Sequence, residues 1–474
     1  MLKKFSWVFV ETVSTVTFQF LSIVILARML TPRDYGILGM MVIFIALGNM
    51  IVDSGMGSAV VKKEKVTQAD YSTLFIYNFA VSSIIYLLLF SLTGFIADFY
   101  NAPELTTLIK VLSLVIVISA VGVVQNARLN RELKFKQLAI VAFVSNLGSL
   151  VLAVVLAGLG YGVWALVYQQ LCLITLRVLL LFATTRFIPS LSFSVASFKY
   201  QFNFGVNILM SNILNTIFVN ISSSIIPKIA GAVQNGYYVQ ASKLQNIPVS
   251  ILTSITDKAM FPILAQYNDE ELFKKNARMI IRYTALIAFP VIFFCSALSK
   301  QIVLLLLGNK WIASSVYLEI IFFAGIGICI QYYGKNLFKS FGDTRKVLHL
   351  EVIKTTIGLA ILFISFNFGL IVLMFGIVIA SIVSAFITMS YLRKYMKYPL
   401  KQHFSDLKEA FLLSVISYAI IKVLSSYFLS DTIWGVFYFV IGVMIYAALG
   451  AITKNEQIGE IVLLFREKII KSLR

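Results

Sequence analysis

The sequence contains few residues of the types that carry catalysis or bind metals. It has two histidines and three cysteines among 474 residues, and 13% of its residues are charged. Cys172, Cys295 and Cys329 lie within apolar runs and never form a CxxC pair, which argues against a disulfide framework and a zinc site. The chain also lacks a Walker A loop, an HExxH motif and a nucleophile elbow. We therefore predict no enzyme activity, no metal and no cofactor.

Charges are scarce because long apolar runs dominate the chain. Hydrophobic residues make up 59% of it, and the mean hydropathy is +0.90. A soluble domain is about half apolar and a quarter charged, so lipid must be the solvent for most of this chain. Since a crossing helix needs about 20 mostly apolar residues, the sequence predicts an all-α, polytopic membrane protein.

Fourteen apolar runs qualify as membrane-spanning helices. They are 6–28, 36–61, 72–97, 105–127, 137–158, 162–183, 203–228, 235–261, 281–307, 314–338, 347–367, 370–392, 409–429 and 433–452. The count falls to twelve if 203–228 and 235–261 do not cross. The first run is too long for a signal-peptide core and no A-x-A cleavage site closes it, so we expect it to be retained.

The net charge of +19 is distributed as membrane topology requires. With both termini in the cytoplasm, lysines and arginines cluster in every predicted inner segment, whereas the outer segments hold Arg28, Arg33, Lys228 and Lys310. This positive-inside bias predicts a multi-pass protein of the bacterial cytoplasmic membrane. It also accounts for the basic composition without nucleic-acid binding.

A weak internal repeat divides the chain. Residues 27–36 align with residues 227–236, so that Arg28 matches Lys228 and Gly36 matches Gly236. The matched segments join the first and second helices of two six-helix halves, which we predict as lobes 1–200 and 201–400. Residues 401–474 then hold a final helix pair and a cytoplasmic tail, in which 456–474 has the pattern of an amphipathic surface helix.

Polar groups within the predicted spans mark a candidate site. Such groups are costly in a bilayer and usually face a bundle interior or a wet cavity. The candidates on the first, second, seventh and eighth spans are Glu11, Asp53, Asn207, Asn215, Lys243 and Asp257. For the asparagines, hydrogen bonding between helices is an equal alternative. The helix-end cations Arg28 and Lys228 are candidate phosphate ligands, with snorkelling to the interface as the alternative.

Five motifs resemble, in order and spacing, the polysaccharide exporters of the multidrug/oligosaccharidyl-lipid/polysaccharide (MOP) superfamily. Within that superfamily, the similarity is to Wzx-type O-unit flippases and to colanic and teichuronic acid exporters. The motifs are Leu30–Gly36, Asp53–Val61, Arg131–Phe135, Gly160–Val167 and Gly236–Leu244.

The resemblance implies a MATE-like fold of two lobes around a cavity with alternating access. It also implies a polyprenyl-diphosphate oligosaccharide as cargo, for lipopolysaccharide O-antigen or exopolysaccharide synthesis. Cavity cations are expected to hold the diphosphate, and the match supplies Arg28, just before the first motif, and Lys243, within the last. Gln240, in the same last motif, is a further cavity candidate. Membrane lipids, a polysaccharide polymerase and a coupling cation, H⁺ or Na⁺, are the implied partners. Glu11, Asp53 and Asp257 are the candidate carriers of that cation.

Three alternatives remain open at the level of sequence. A cation-coupled multidrug or small-molecule antiporter would share the fold, although the first helix lacks a dense acidic site. A membrane-embedded sugar polymerase or ligase would need large outer loops, and these are a few residues each. An assembly scaffold would tolerate loss of the charges within the spans.

Overall fold

A computed structural model of the chain describes residues 2–185, 187, 190, 192–264, 270–340, 344–396, 398–427 and 434–453. Within these ranges the side chains of 2–5, 207, 208, 255, 257–264, 270, 339, 340, 344–347, 394–396, 426 and 427 are not described. The predicted tail helix 456–474 lies outside the described residues. Every regular element in the described part is a helix, which confirms the all-α prediction.

Seventeen α-helices and one 3₁₀ turn, Asn309–Trp311, make up the described part of the chain. The α-helices are α1 (Leu2–Met29), α2 (Pro32–Asp53), α3 (Met56–Lys62), α4 (Gln68–Tyr100), α5 (Leu105–Leu112), α6 (Leu114–Arg131), α7 (Phe135–Gly158), α8 (Val163–Thr185), α9 (Val195–Leu264), α10 (Glu270–Ala297), α11 (Ser299–Leu306), α12 (Ser314–Phe322), α13 (Ala324–Ser340), α14 (Thr344–Phe366), α15 (Leu370–Met396), α16 (Leu400–Tyr427) and α17 (Trp434–Ile452).

Twelve of the described segments are long and apolar enough to cross a membrane. One of them, Leu209–Ser254, has 46 residues, about twice the roughly 20 that a crossing needs. Gly231, at φ 79°, interrupts α9 in the middle of that segment and separates two lengths that can each cross. Outside the twelve, α16 adds a helix of 28 residues. Each of the fourteen predicted runs therefore corresponds to helix over most of its described residues.

The chain forms two compact units, Met1–Gln240 and Ala241–Arg474. Their division falls within α9, so the first unit includes α1 to α8 and the beginning of α9. The predicted lobes, 1–200 and 201–400, are defined by the sequence repeat and not by compactness, and they remain predictions.

In the first unit, α7 packs against α1 and α8, while α6 packs against α4 and α8. A fully buried cluster of Met56, Val60, Leu74 and Val124 joins α3, α4 and α6. A helix end lies beside this cluster. Its backbone groups must also be hydrogen-bonded, because an unpaired backbone group within lipid costs several kcal/mol.

Arg131 satisfies the carbonyl groups at the end of α3. Its Nη1 donates to the carbonyl oxygens of Val60 at 3.0 Å and Val61 at 3.3 Å, and also to that of Lys63. Its Nη2 donates to the carbonyl oxygen of Glu64 at 2.7 Å. The last carbonyls of a helix have no partner within the helix, so one guanidinium with five N–H donors closes this end. The Arg131–Phe135 motif thus ties the end of α6 to the end of α3.

In the second unit, α10 and α16 run side by side in the same direction. Near their starts, Arg278 Nε donates to Asp406 Oδ2 at 2.7 Å and Arg278 Nη2 donates to Oδ1 at 2.8 Å. Farther along, the ring of Phe293 packs against Phe411 and Tyr418, with centroids 5.7 and 5.8 Å apart. A helix held parallel to a crossing helix enters from the same side, so α16 fits the predicted thirteenth span, 409–429.

The carboxylate of Asp406 is the centre of a charged cluster at the start of α16. Its side chain is fully buried, and besides Arg278 it accepts a hydrogen bond from Arg282 Nε at 2.7 Å and one from the Tyr398 hydroxyl. Burial alone would raise the pKa of Asp406, but the hydrogen bonds from Arg278, Tyr398 and Arg282 hold it below its ordinary value. Asp406 is therefore ionised at neutral pH.

His403 is fully buried beside this cluster, with its ring centroid 3.5 Å from that of Tyr398. Burial lowers the pKa of His403 to about 4. An unfolded chain protonates histidine below a pKa of about 6.5, whereas the folded protein keeps His403 neutral down to about pH 4. Folding stability should therefore fall as the pH drops through this window. Below it, the stabilisation from the lowered pKa of Asp406 is lost in turn.

Replacing Arg131 with lysine should destabilise the first unit by about 2–4 kcal/mol, because one ammonium cannot reach four carbonyl oxygens at once. Thermal unfolding of the purified protein in detergent measures this change. Arg33→Lys is the matched control, since Arg33 forms an exposed ion pair with Glu104 at 2.9 Å, and such pairs contribute about 0–1 kcal/mol. Equal melting temperatures for the two variants would contradict the role of Arg131.

His403→Phe should remove much of the pH dependence of stability between pH 6.5 and 5. The native protein should lose about 1–2 kcal/mol over this range, because the unfolded chain gains a proton that the folded protein does not bind. The free energy of unfolding, measured at both pH values for the native protein and the variant, tests this. A native protein that is as stable at pH 5 as at pH 6.5 would rule out a buried neutral histidine.

Candidate functional site

The Leu30–Gly36 motif builds the start of α2. Thr31 is the N-cap: its Oγ1 accepts a hydrogen bond from the backbone N–H of Asp34 at 3.4 Å, and Asp34 Oδ2 accepts one from the backbone N–H of Thr31 at 2.8 Å. Pro32 follows at the first helical position, where a missing N–H costs nothing. This capping box sets where the helix begins and so positions Gly36 one turn later.

Gly36 and Gly236 are the points where the backbones of α2 and α9 touch. A Cβ atom at Gly36 would lie 1.7 Å from the carbonyl oxygen of Ala232, and a Cβ atom at Gly236 would lie 1.7 Å from that of Pro32. Only glycine fits at either position. We call these two approaches the reciprocal glycine contact.

The reciprocal glycine contact has internal symmetry. Gly36 contacts Ala232, and their counterparts 200 positions away, Gly236 and Pro32, also contact each other. Two equivalent segments related by a two-fold axis meet in this way, each contact being made twice with the roles exchanged. The geometry supports the repeat that aligns residues 27–36 with residues 227–236.

A buried hydrogen bond accompanies the reciprocal glycine contact. Asn235 Nδ2 donates to the carbonyl oxygen of Gly36 at 2.8 Å. Tyr35, Asn235 and the site candidate Gln240 are all buried. Gln240 follows Gly236 by about one turn of α9.

The Asp53–Val61 motif contains a break within the second span. Ser54 and Gly55 have φ values of 43° and 69°, in the left-handed region that favours glycine. The break turns the Ser54 carbonyl oxygen towards α9, where a Cβ atom at Gly205 would lie 2.3 Å from it. Asp53, the last residue of α2, is exposed at this break. Interrupted helices of this kind form ion and substrate sites in transporters, which keeps Asp53 as a candidate.

Lys228 is already engaged by neighbouring protein groups. Its Nζ donates to the carbonyl oxygen of Phe99 at 2.7 Å and lies 4.7 Å from the centroid of the Phe99 ring. One residue later, the hydroxyl of Tyr100 donates to the carbonyl oxygen of Ser224 at 2.9 Å. The C-terminal end of a helix attracts a cation, so Lys228 holds the end of α4 against α9. A phosphate-binding role for Lys228 stays a prediction.

Three further candidates of the first unit lie on α1 and α9. Glu11 is half-buried on α1 and interacts electrostatically with Arg177 of α8. Arg28 is exposed in the last turn of α1, and Asn215 is exposed on α9. Glu11 and Lys228 therefore have partners outside the predicted set.

Three candidates remain to be placed, and all of them lie on α9. Lys243, half-buried, follows Gln240 by about one turn of α9. Asn207 and Asp257 belong to the helical backbone of α9, but their side chains lie outside the described residues. The convergence of the candidates on one wet chamber stays a prediction.

Two ion pairs within the second unit were not predicted from the sequence. Lys422 Nζ lies 2.6 Å from Glu319 Oε1, between α16 and α12. Lys354 Nζ lies 3.0 Å from Glu351 Oε1, and both side chains are buried on α14. The spacing of three residues could have revealed the second pair. The first joins residues 103 positions apart and leaves no local signal.

The solved structures most relevant to this fold are transporters. The chain matches the Lipid II flippase MurJ in an inward closed conformation with a TM-score of 0.79 and 16% identity, over 94% of this chain and 98% of that one. It matches an inward-facing multidrug-resistance MATE transporter of the MOP superfamily with a TM-score of 0.59 and 17% identity, over 82% and 98%. The chain therefore shares the fold of these two structures.

Residues 25–316, more than half of the chain, match the family of polysaccharide biosynthesis proteins, Polysacc_synt_3. The chain belongs to this family, which confirms the resemblance found in the motifs. Its relatives include the lipopolysaccharide biosynthesis protein WzxC of Escherichia coli K12, 25% identical over 68% of this chain and 66% of WzxC. The succinoglycan transport protein ExoT of Rhizobium meliloti is 27% identical over 64% and 62%. The matched part spans about two thirds of the length of these relatives.

Gly36→Ala should lower the stability of the first unit by about 1–3 kcal/mol, because a methyl group would overlap a backbone carbonyl that cannot rotate away. Gly236→Ala should have a similar effect, since its contact is the symmetric counterpart. Thermal unfolding in detergent measures both changes.

The control for these variants is Gly94→Ala, in the interior of α4, where a Cβ atom would meet nothing within 4 Å. The same added methyl should there be neutral or stabilise by up to about 1 kcal/mol. A Gly36→Ala variant that melts like Gly94→Ala would contradict the reciprocal glycine contact.

Proposed function

We propose that this protein is a flippase for a polyprenyl-diphosphate-linked oligosaccharide. It moves the cargo from the inner to the outer leaflet of the bacterial cytoplasmic membrane, for the synthesis of O-antigen or another surface polysaccharide. Family membership supports the substrate class, and WzxC and ExoT are themselves named for polysaccharide biosynthesis and transport.

The observation that carries the mechanism is the reciprocal glycine contact. In the predicted topology, α2 and the part of α9 after Gly231 both begin at the outer surface. In the proposal, a contact made of glycine backbones and the hydrogen bond from Asn235 forms in one transport state and parts in the other. In the proposed cycle, Gly36 and Gly236 separate when cargo is released outward and meet again as the site returns to the cytoplasm.

Electrostatics favour outward movement of the cargo. A diphosphate carries about two negative charges, and with the cytoplasm negative by roughly 100 mV their export is favoured by about 4–5 kcal/mol. Arg28 and Lys243 are the proposed ligands of the diphosphate, because a phosphate in an apolar layer needs a cation partner. The polyprenyl tail stays in lipid while the head group crosses.

Cation exchange adds to this driving force in the proposed cycle. Glu11, Asp53 and Asp257 are the proposed carriers of H⁺ or Na⁺, since each is an acidic group within a span. Both termini are proposed to be cytoplasmic, with a polysaccharide polymerase acting on the exported cargo. In this proposal the protein transports its cargo and catalyses no reaction.

Replacing Arg28, Lys243 or Asp257 individually with alanine should reduce surface polymer by tenfold or more. The lipid-linked oligosaccharide should accumulate in the inner leaflet, because its synthesis continues while its transfer stops. Surface labelling of polymer and extraction of lipid-linked sugar measure the two pools in bacteria that carry each variant. Lys300→Ala, an exposed lysine outside the candidate set, is the control.

Normal surface polymer together with normal protein levels would remove the site assignments. A multidrug antiporter is the competing function, since the fold is shared with MATE transporters. In that case, deletion of the protein would abolish dye efflux and leave surface polymer unchanged, which would overturn the flippase proposal.

A further inference from the structure

A groove of about 720 Å³ lies in the second unit between α10, α13, α15 and α16. Its size falls within the range of roughly 300–1,000 Å³ that is typical of ligand pockets. Phe289, Ile330 and Met389 form its buried apolar walls, while Phe386 and Phe404 stand at its edges, 46% and 54% exposed. Phe386 lies in the predicted span 370–392 and the exposed Phe411 in the predicted span 409–429, so we expect this groove to face acyl chains. We refer to it as the lipid-facing groove.

One face of α16 gives the lipid-facing groove a charged end and an apolar end. Lys401, Phe404, Lys408 and Phe411 recur at helical spacing, and all four line the groove. Lys401 lies in the first turn of α16, and Lys408 follows about 10.5 Å farther along the helix axis. Phe411 comes one turn deeper. The lysines therefore occupy the half of the groove near the predicted cytoplasmic surface, and aromatic rings occupy the rest.

The two lysines carry charge that the neighbouring protein does not neutralise. Both are exposed, and neither has an acidic side chain within ion-pair distance in the part of the chain that the structure describes. Nearby, by contrast, Arg278 and Arg282 share the carboxylate of Asp406. The lipid-facing groove thus combines two lysines that form no ion pair among the described residues with an apolar channel. The lysines complement an anionic head group, and the channel complements an acyl chain.

We propose that the lipid-facing groove binds an anionic phospholipid of the cytoplasmic leaflet. The phosphate lies between Lys401 and Lys408, and one acyl chain follows the wall of Phe404, Met389 and Phe411. Basic pockets between membrane-spanning helices bind anionic head groups in this way, at about 1 kcal/mol per lysine. The bound lipid joins α15 to α16 and stabilises the second unit. This proposal does not depend on the proposed function.

Native mass spectrometry of the purified full-length protein, titrated with phosphatidylglycerol or phosphatidylcholine of identical acyl chains, tests the proposal. Phosphatidylglycerol should bind more tightly than phosphatidylcholine. Lys401→Gln and Lys408→Gln should each weaken phosphatidylglycerol binding by about fivefold, and the double variant by about 30-fold, with little change for phosphatidylcholine. Phe404→Ala should weaken the binding of both lipids by roughly threefold to tenfold, because it removes part of the apolar wall.

The matched control is Lys275→Gln, which removes an exposed lysine near the start of α10 that does not line the lipid-facing groove. An equal loss of phosphatidylglycerol binding in this variant would mean general attraction to a basic surface, and would overturn the proposal. Equal affinity for the two phospholipids would overturn it as well. If polyprenyl phosphate bound through Lys401 and Lys408 more tightly than phosphatidylglycerol does, the groove would be a site for a polyprenyl tail. That result would also overturn the proposal.

Discussion

A polypeptide in lipid must pair its own backbone polar groups, and this requirement explains the arrangement at the ends of the helices. Where α3 ends, the guanidinium of Arg131 donates to four carbonyl oxygens. Lys228 satisfies the carbonyl of Phe99 at the end of α4, and Asn235 donates to the carbonyl of Gly36. Some of the charged and amide side chains within the spans therefore hydrogen-bond to backbone carbonyl groups.

The same requirement explains the family motifs as parts of the scaffold. The Leu30–Gly36 motif supplies a capping box and a glycine that lets two backbones touch, and the Asp53–Val61 motif supplies a left-handed break. Arg131 begins a third motif and closes a helix end. Such residues set where the helices begin, end and touch.

Much of the fold could be predicted from the sequence because hydropathy and the distribution of lysine and arginine act over local stretches. Each predicted span corresponds to helix, including the two halves of α9 on either side of Gly231. The candidate site was harder to predict. A lysine such as Lys228 has the same local pattern whether it binds phosphate or a carbonyl group, and the partner of Lys422 lies 103 residues away. Sequence periodicity cannot supply pairings at that distance.

The buried carboxylate of Asp406 has a consequence for the last helices of the chain. Arg278 and Arg282 share this single counter-ion, and the rings of Phe293 and Tyr418 continue the attachment farther along the two helices. A protein truncated before α16 would lose the carboxylate that both guanidinium groups share. The charged cluster therefore makes α16 part of the second unit, and a shorter chain on this plan would need other side chains at positions 278 and 282.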